Sequence, residues 1–134
     1  MADTIQLTVV TPERNLVDES VDEVELPGVN GYLGVLPGHA PLFSELQTGA
    51  LSYRQAGQTH LLAVSGGFVE VMDNAVRVLA EVAESARSID VERAKKSRLR
   101  AGKRLAEGDA STDYARAQSA LERADVRLEV AKKN

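Results

Sequence analysis

The chain has 134 residues, a mean hydropathy of −0.21 and a formal charge of −4. That length fits one ordinary domain, or one small domain with an appendage. The absence of cysteine excludes a disulfide scaffold, a thiolate zinc site and a cysteine nucleophile. No apolar run approaches the roughly 20 residues of a membrane-spanning helix, so we expect any membrane association to come through partners.

The charge is divided unevenly along the chain. Residues 1–84 contain three arginines, no lysine and twelve acids, a formal charge of −9, together with all four prolines. Residues 85–134 contain thirteen cations and eight acids, a formal charge of +5. We therefore predict two units, an acidic one at 1–84 and a basic one at 88–134, and a basic segment of this kind usually has a binding partner.

The first unit shows the pattern of short strands, in which apolar and polar residues alternate between turn residues. The apolar stretches are Ile5–Val9, Val21, Val24–Leu26, Leu33–Leu36, Leu51–Tyr53, Leu61–Val64, Phe68–Met72 and Val76–Leu79. Several short strands with regular turn signals predict an all-β sandwich or barrel.

Beyond Ser88 the apolar residues recur every three or four positions, which predicts helices. One series is Val91, Ala94, Arg98, Ala101 and Leu105, and the second is Tyr114, Ala117, Leu121, Ala124, Leu128 and Ala131. A helix stop at Glu107–Ser111, with Ser111 or Thr112 as the next amino-terminal cap, makes this an antiparallel helical hairpin.

The predicted seam of the hairpin is mostly alanine and places Arg98 where an apolar residue is usual. Alanine buries little surface, so the two helices hold each other weakly at about 25 cal/mol per Å². A thin, tightly packed coil and a hairpin that is ready to open both fit this pattern.

Catalytic motifs are missing from the sequence. There is no phosphate-binding loop of the form Gly-x-x-x-x-Gly-Lys-Ser/Thr. Ala63 stands where a nucleophile elbow around Ser65 would need its first glycine. The two histidines, His39 and His60, lie in different segments without a carboxylate at ligand spacing. We predict no catalytic residue, no metal site and no enzymatic activity of the chain alone.

The stretch from Gly31 to Leu42 reads GYLGVLPGHAPL and is rich in residues with special backbone preferences. Pro37-Gly38 predicts a type II turn with a positive φ at the glycine. Pro41 favours an extended Ala40. Taken alone, the stretch fits an ordinary loop between strands.

Taken whole, the stretch resembles the hallmark G-x-L-G-x-L-P-G-H-A-P-L of the epsilon subunit of the F-type (rotary) ATP synthase. Three further stretches resemble the same family in the same order: Thr48–Leu51, Ser65–Val71 and Ile89–Ala94. The resemblance covers essentially the full chain.

The resemblance implies a β-sandwich of about ten strands followed by a helix–turn–helix, in the central rotor of the bacterial complex. The sandwich would contact the gamma subunit and the c-ring, and the complex would couple proton flow to ATP synthesis. The chain would reach the membrane only through the complex, at the cytoplasmic face of the plasma membrane. Tyr32, at the tip of the Val29–Val35 loop, would face the c-ring, and His39 would lie near gamma. The implied contact residues are Gly31, Tyr32, Leu33, His39, Pro41 and Leu42.

The resemblance also implies that the hairpin either folds on the sandwich or extends into the catalytic head of alpha and beta subunits, where it inhibits ATP hydrolysis. Residues 87–104 hold eight cations against two acids, and opposite charge would steer docking on an acidic beta segment. Without the resemblance, these charges fit a solvated helix face. The implied inhibitory residues are Arg93, Lys95, Lys96, Arg98, Arg100, Lys103 and Arg104.

Some bacterial members of the family bind ATP in the folded hairpin through a motif I/L-D-x-x-R-A, which this chain matches at Ile89–Ala94. By this resemblance ATP would be a regulatory ligand that stabilises the folded hairpin, with arginines on the phosphates and Asp90 accepting from the adenine amino group. Asp90 as a helix cap and arginines on exposed helix faces are the alternative. The implied ATP-contacting residues are Glu84, Ile89, Asp90, Arg93, Ala94, Arg100, Arg123 and Arg127.

Two other functions are compatible with parts of this pattern. The chain could act mainly as an ATP sensor, which is consistent with a place in the rotor. A nucleic-acid binder using the basic helices would show salt-dependent binding. The −9 unit, the scarcity of aromatic residues and the lack of a groove-reading motif disfavour it, so we predict no nucleic-acid partner.

Overall fold

The structure, a computed structural model, describes residues 3–133. The predicted units therefore include three residues outside the described range, Met1, Ala2 and Asn134. The strands are β1 (Ile5–Val10), β2 (Asn15–Val21), β3 (Glu23–Gly28), β4 (Gly31–Val35), β5 (Leu42–Glu45), β6 (Gly49–Gln55), β7 (Gln58–Met72) and β8 (Ala75–Ser85). A 3₁₀ turn at Ala86–Ser88 leads to two helices, α1 (Val91–Glu107) and α2 (Tyr114–Lys132).

The eight strands form a sandwich in the order β2-β1-β8-β7-β6-β3-β4, and β5 pairs separately with β7. All neighbours are antiparallel except β1 and β8. The first part of β7 pairs with β6, whereas residues 68–71 pair with β5. The long strand β7 therefore connects β5 to the rest of the sandwich.

The prediction of a sandwich followed by a helical hairpin is confirmed, with eight strands rather than about ten. The stretches Leu61–Val64 and Phe68–Met72 are parts of one strand, because β7 continues through Gly66 and Gly67. Gly67 has φ +109°, and a Cβ there would lie 2.0 Å from the carbonyl oxygen of Leu79. Only glycine fits at this position. A glycine pair normally indicates a turn, but in this chain it indicates a distorted position within a strand.

The core of the sandwich consists of eighteen buried residues, nearly all valine, leucine and isoleucine. Alternation along β1 places Ile5, Leu7 and Val9 inside, whereas Gln6 is exposed. Burial of each such side chain stabilises the fold by about 1.5–3 kcal/mol.

The helical hairpin has the predicted alanine seam. Ala94 and Ala101 of α1 and Ala117 and Ala124 of α2 are buried. Arg98 does not lie inside this seam: its side chain is 57% exposed, and its Nε lies 3.9 Å from Asp125 Oδ1 on the facing helix. The length of the arginine side chain lets the charge remain at the rim, where it stays hydrated.

Both helices begin at an aspartate cap. Asp90 Oδ1 accepts from the backbone N–H of Arg93 at 3.1 Å, and Asp113 Oδ1 accepts from that of Arg116 at 3.0 Å. The predicted cap at Ser111 or Thr112 is wrong. Ser111 Oγ donates to Asp109 Oδ1 at 2.6 Å, and Thr112 Oγ1 accepts from the N–H of Asp109, so these side chains close the interhelical turn instead. The stop is as predicted, with Gly108 following the last residue of α1.

Candidate functional site

The hallmark loop between β4 and β5 contains the predicted turn. Gly38 has φ +85°, and the N–H of His39 donates to the carbonyl of Leu36 at 3.1 Å. The His39 ring is half-buried, and its Nδ1 lies 2.6 Å from the carbonyl oxygen of Ala40. Pro41 is exposed, and Leu42 begins β5 half-buried.

Asn74, which the sequence reasoning missed, fixes the position of this loop. Its side-chain Oδ1 accepts from the N–H of Gly38 at 3.0 Å, and its Nδ2 donates to the carbonyl of Thr4 at 2.7 Å. Asn74 itself has φ +60° in the turn between β7 and β8. The Asp73-Asn74 pair is a turn signal, because these residues tolerate positive φ, but nothing in the sequence links it to a loop 36 residues away.

Tyr32 does not lie at a loop tip as predicted. It lies within β4 opposite Pro27, and the hairpin tip is formed by the turn at Val29 and Asn30. The phenol oxygen accepts from the N–H of Ala50 at 3.1 Å while the residue remains 59% exposed. Gly31 and Leu33 belong to the same strand, so these three predicted contact residues form one edge of the sandwich.

An apolar patch covers the outward face of β5, β7 and β8. It consists of Phe43, Phe68, Met72 and Leu79, which are between 42% and 66% exposed. The Phe43 and Phe68 rings stack at 5.5 Å, and Phe68 faces Leu79 in the strand register. Exposed apolar side chains gathered on one sheet face are a feature of protein interaction surfaces.

The hairpin is folded beside the sandwich, with α2 against β6 and β7. The contact has a small apolar centre, the interface cluster of Ala63, Ile89 and Val130. Beside this cluster, Arg127 Nε donates to Glu84 Oε1 at 2.6 Å, and the two side chains are only 29% and 24% exposed. The contact is therefore small: three buried apolar side chains, a few half-buried ones packed around them, and one ion pair.

The fold itself uses several of the predicted ATP-contacting residues. Ile89 belongs to the interface cluster, Ala94 lies in the alanine seam, and Asp90 caps α1. Glu84, Arg123 and Arg127 line a cavity of about 10 Å³, which has room for about one water molecule. These three side chains do not enclose a space of the size of a triphosphate.

The four predicted phosphate-binding arginines nevertheless lie on one side of the hairpin. The opposite groove between the helices is lined by Lys95, Arg98 and Leu99 of α1 and by Leu128 and Lys132 of α2. At about 100° per residue, Arg93 and Arg100 project from the other side of α1. Arg123 and Arg127 likewise project from the side of α2 that lines the contact with the sandwich. The predicted inhibitory cations of α1, from Arg93 to Arg104, are all exposed.

Membrane and metal features can be assessed for residues 3–133. No helix there has the length and hydropathy to cross a bilayer. That same range holds no group of three or more histidine, cysteine, aspartate or glutamate side chains placed to bind a metal ion.

Comparison with protein families gives one match for each unit. The model of the ATP synthase delta/epsilon chain β-sandwich domain matches residues 4–86, and that of the delta/epsilon chain long α-helix domain matches residues 87–132. The chain is 49% identical over 130 residues to the ATP synthase epsilon chain of Nitratidesulfovibrio vulgaris (strain DP4), with 97% of each chain covered. It is 48% identical to that of Solibacter usitatus (strain Ellin6076), with 99% of each chain covered.

Two solved structures contain similar chains. One belongs to the Euglena gracilis mitochondrial ATP synthase, in a structure of OSCP, F1 and c-ring, with a TM-score of 0.84 and 27% identity over 98% of this chain and 83% of that one. The other belongs to the central stalk and c-ring of the Tetrahymena thermophila mitochondrial ATP synthase, with a TM-score of 0.58 and 14% identity over 96% of this chain and 93% of that one. The second likeness concerns the fold alone.

Proposed function

The chain belongs to the ATP synthase epsilon chains, which are non-catalytic subunits of the central stalk. From this premise we propose a separate role for each of its two units. The sandwich docks on the gamma subunit and the c-ring and helps couple proton flow to ATP synthesis. The hairpin regulates ATP hydrolysis. The subunit is peripheral, held at the cytoplasmic face of the bacterial plasma membrane by its partners.

The apolar patch is the observation that carries the docking proposal. Four large apolar side chains on one sheet face are unfavourable in water, and a partner that covers them removes that cost. The hallmark loop, fixed by Asn74, borders the same end of β7 and adds His39, Pro41 and Leu42 to the surface for gamma. Gly31, Tyr32 and Leu33 on β4 are the proposed c-ring contacts.

Substitution of the apolar patch tests the docking proposal. Phe43→Ser combined with Leu79→Ser removes half of the patch without touching the buried core, so the variant remains folded. We expect about tenfold weaker capture of purified gamma. Gln6→Ala, an exposed change on the neighbouring strand, is the matched control. Equal capture by the double variant and the wild type would exclude this face as the gamma surface.

The cations of α1 carry the proposal of inhibition. They are exposed while the hairpin is folded, and α1 packs on α2 rather than on the sandwich. On release, a helix with this charge is attracted by acidic surfaces of the alpha and beta subunits. Lys95→Glu combined with Lys103→Glu should increase ATP hydrolysis by the assembled complex, whereas Arg116→Glu at the exposed start of α2 should not. Unchanged hydrolysis in the first variant argues against inhibition by these charges.

We propose that ATP stabilises the folded hairpin through Arg93, Arg100, Arg123 and Arg127. The position of all four arginines on one side of the hairpin supports the proposal, because guanidinium groups bind phosphate oxygens in bidentate pairs. Since Glu84 already holds Arg127, ATP must share or replace that ion pair. A ligand shifts such an equilibrium only by its differential affinity for the two forms.

Calorimetric titration of the chain with millimolar ATP tests this role. Arg93→Ala combined with Arg123→Ala should reduce the binding heat by the share that belongs to this site. Arg98→Ala, which removes an arginine from the opposite groove, should leave it unchanged. Absence of heat in the wild type, or equal heat in the double variant, contradicts the proposed site.

A further inference from the structure

A second concave surface lies away from the hairpin arginines, at the end of the sandwich where the linker to α1 begins. It is a cleft of about 850 Å³ in which three segments of the chain meet: the start of β2, the hairpin between β6 and β7, and residues 85–88. Arg14 and Asn15 line it from the first segment, Tyr53 and His60 from the second, and Arg87 from the third. Its volume is in the range of small-molecule sites.

The lining of this cleft has the opposite charge to the rest of the sandwich. None of its residues is acidic, although residues 1–84 hold twelve acids against three arginines. Neither Arg14 nor Arg87 forms an ion pair with another residue of the range 3–133. The cleft thus gathers two guanidinium groups whose hydrogen-bond donors are not used by carboxylates.

An aromatic pair lines the same cleft as the two arginines. Tyr53 and His60 are directly opposite each other in the register of β6 and β7, and their rings stack at 4.9 Å. Burial, and secondarily the charge of Glu19, raise the pKa of Tyr53 above its ordinary value, so the phenol stays protonated and able to donate. Asn15 and Gln58 add amide donors to the same cleft.

We propose that this cleft binds a multivalent phosphate anion, either a free inorganic one or the phosphate chain of a nucleotide. Two guanidinium groups from separate segments, neutral hydrogen-bond donors and no lining carboxylate are what such an anion requires. The site shares no residue with the proposed ATP site of the hairpin. Because Arg87 belongs to the linker, an anion held between Arg14 and Arg87 ties the linker to the sandwich and favours the folded hairpin.

Calorimetric titration of the full chain with inorganic pyrophosphate tests the proposal. We expect saturable binding at millimolar concentration, weakened about tenfold by Arg14→Ala and by Arg87→Ala. Both arginines are exposed, so neither change threatens folding. Arg77→Ala, an exposed arginine on β8 outside the cleft, is the matched control and should bind as the wild type does. No saturable heat, or equal affinity in wild type and Arg14→Ala, overturns the proposal.

A second titration separates the two sources of phosphate and keeps this site distinct from the proposed hairpin site. ATP is added to the Arg93→Ala and Arg123→Ala double variant, with and without Arg14→Ala. Residual ATP binding that Arg14→Ala removes assigns the cleft to nucleotide phosphates. Pyrophosphate binding without residual ATP binding assigns it to free anions. If ATP binding survives all three substitutions and pyrophosphate does not bind, both sites are wrong.

Discussion

The two units bury apolar surface in different ways, and the difference supports the proposal that the sandwich is a scaffold and the hairpin is mobile. The sandwich packs eighteen buried residues, mostly branched, into one core. The hairpin packs four buried alanines along its seam, and its contact with the sandwich centres on the interface cluster with a few half-buried apolar side chains around it. At about 25 cal/mol per Å² the contact with the sandwich is worth only a small fraction of the core, so it can open while the sandwich stays folded.

The largest effect is expected in the sandwich core. Leu51 is fully buried, and Leu51→Ala should lower the free energy of unfolding by about 3 kcal/mol through lost burial and a cavity. Chemical denaturation of the isolated subunit measures this. Leu99→Ala on α1, where leucine is 76% exposed, is the matched control and should change stability by less than about 0.5 kcal/mol. Equal losses in both variants would mean that the two units share one core.

A smaller and more local effect is expected at the interface cluster. Val130 is fully buried between α2 and the sandwich, and Val130→Ala should favour the open hairpin by about 2 kcal/mol, or about thirtyfold. Hydrogen exchange should become faster in the hairpin while β7 and β8 keep their protection. Val29→Ala, at an exposed turn position, should change neither the exchange of the hairpin nor that of β7 and β8. A uniform loss of protection in both units would contradict a separate opening of the hairpin.

The Glu84–Arg127 ion pair should contribute less than the cluster. Because both side chains remain about a quarter exposed, we expect a coupling of about 1 kcal/mol. A double-mutant cycle with Glu84→Gln and Arg127→Gln, read out by hairpin exchange, gives this energy. Glu81→Gln, an exposed acid on the same strand, serves as the control. A coupling of zero would leave the interface cluster alone to hold the hairpin.

The smallest effect concerns the turn between the helices. The side-chain and backbone hydrogen bonds from Ser111 lower the pKa of Asp109 below its ordinary value. A carboxylate with a depressed folded-state pKa stabilises the fold above its unfolded pKa, and the effect is lost as pH falls through the folded value. Protection factors near the start of α2, which correct for the intrinsic pH dependence of amide exchange, should therefore fall in acid, and Asp109→Asn should flatten this pH dependence. Identical acid profiles in the two proteins would rule out the contribution.

The fold was predictable because local patterns determine most of it. Alternation placed Ile5, Leu7 and Val9 in the core, and the three-to-four spacing placed Ala94, Ala101, Ala117 and Ala124 in the seam. The continuity of β7 was not predictable, because Gly66 and Gly67 distort the strand without ending it. The cap at Asp113 was missed because serine and threonine are also favourable residue types for a helix cap. Only the structure of the turn shows that the side chains of Ser111 and Thr112 already form hydrogen bonds with Asp109.

The sequence could indicate which residues belong to the candidate site, but not which of them contact each other. Glu84 and Arg127 were both predicted to contact ATP, yet only the packing of α2 on the sandwich shows that they contact each other. Asn74 and the hallmark loop are far apart in sequence, so their hydrogen bond depends on tertiary structure. The apolar patch likewise depends on which face of β7 is turned outward, and the distortion at Gly66–Gly67 obscures this in the alternating pattern.

The most direct test of the account is native-state hydrogen exchange of the isolated subunit, resolved by residue and followed in increasing denaturant. We predict two separate opening events. The amides of α1 and α2 should exchange through an opening of low free energy, and those of β7 and β8 only through global unfolding. A single opening free energy shared by helices and strands would contradict the division into a fixed docking sandwich and a mobile regulatory hairpin.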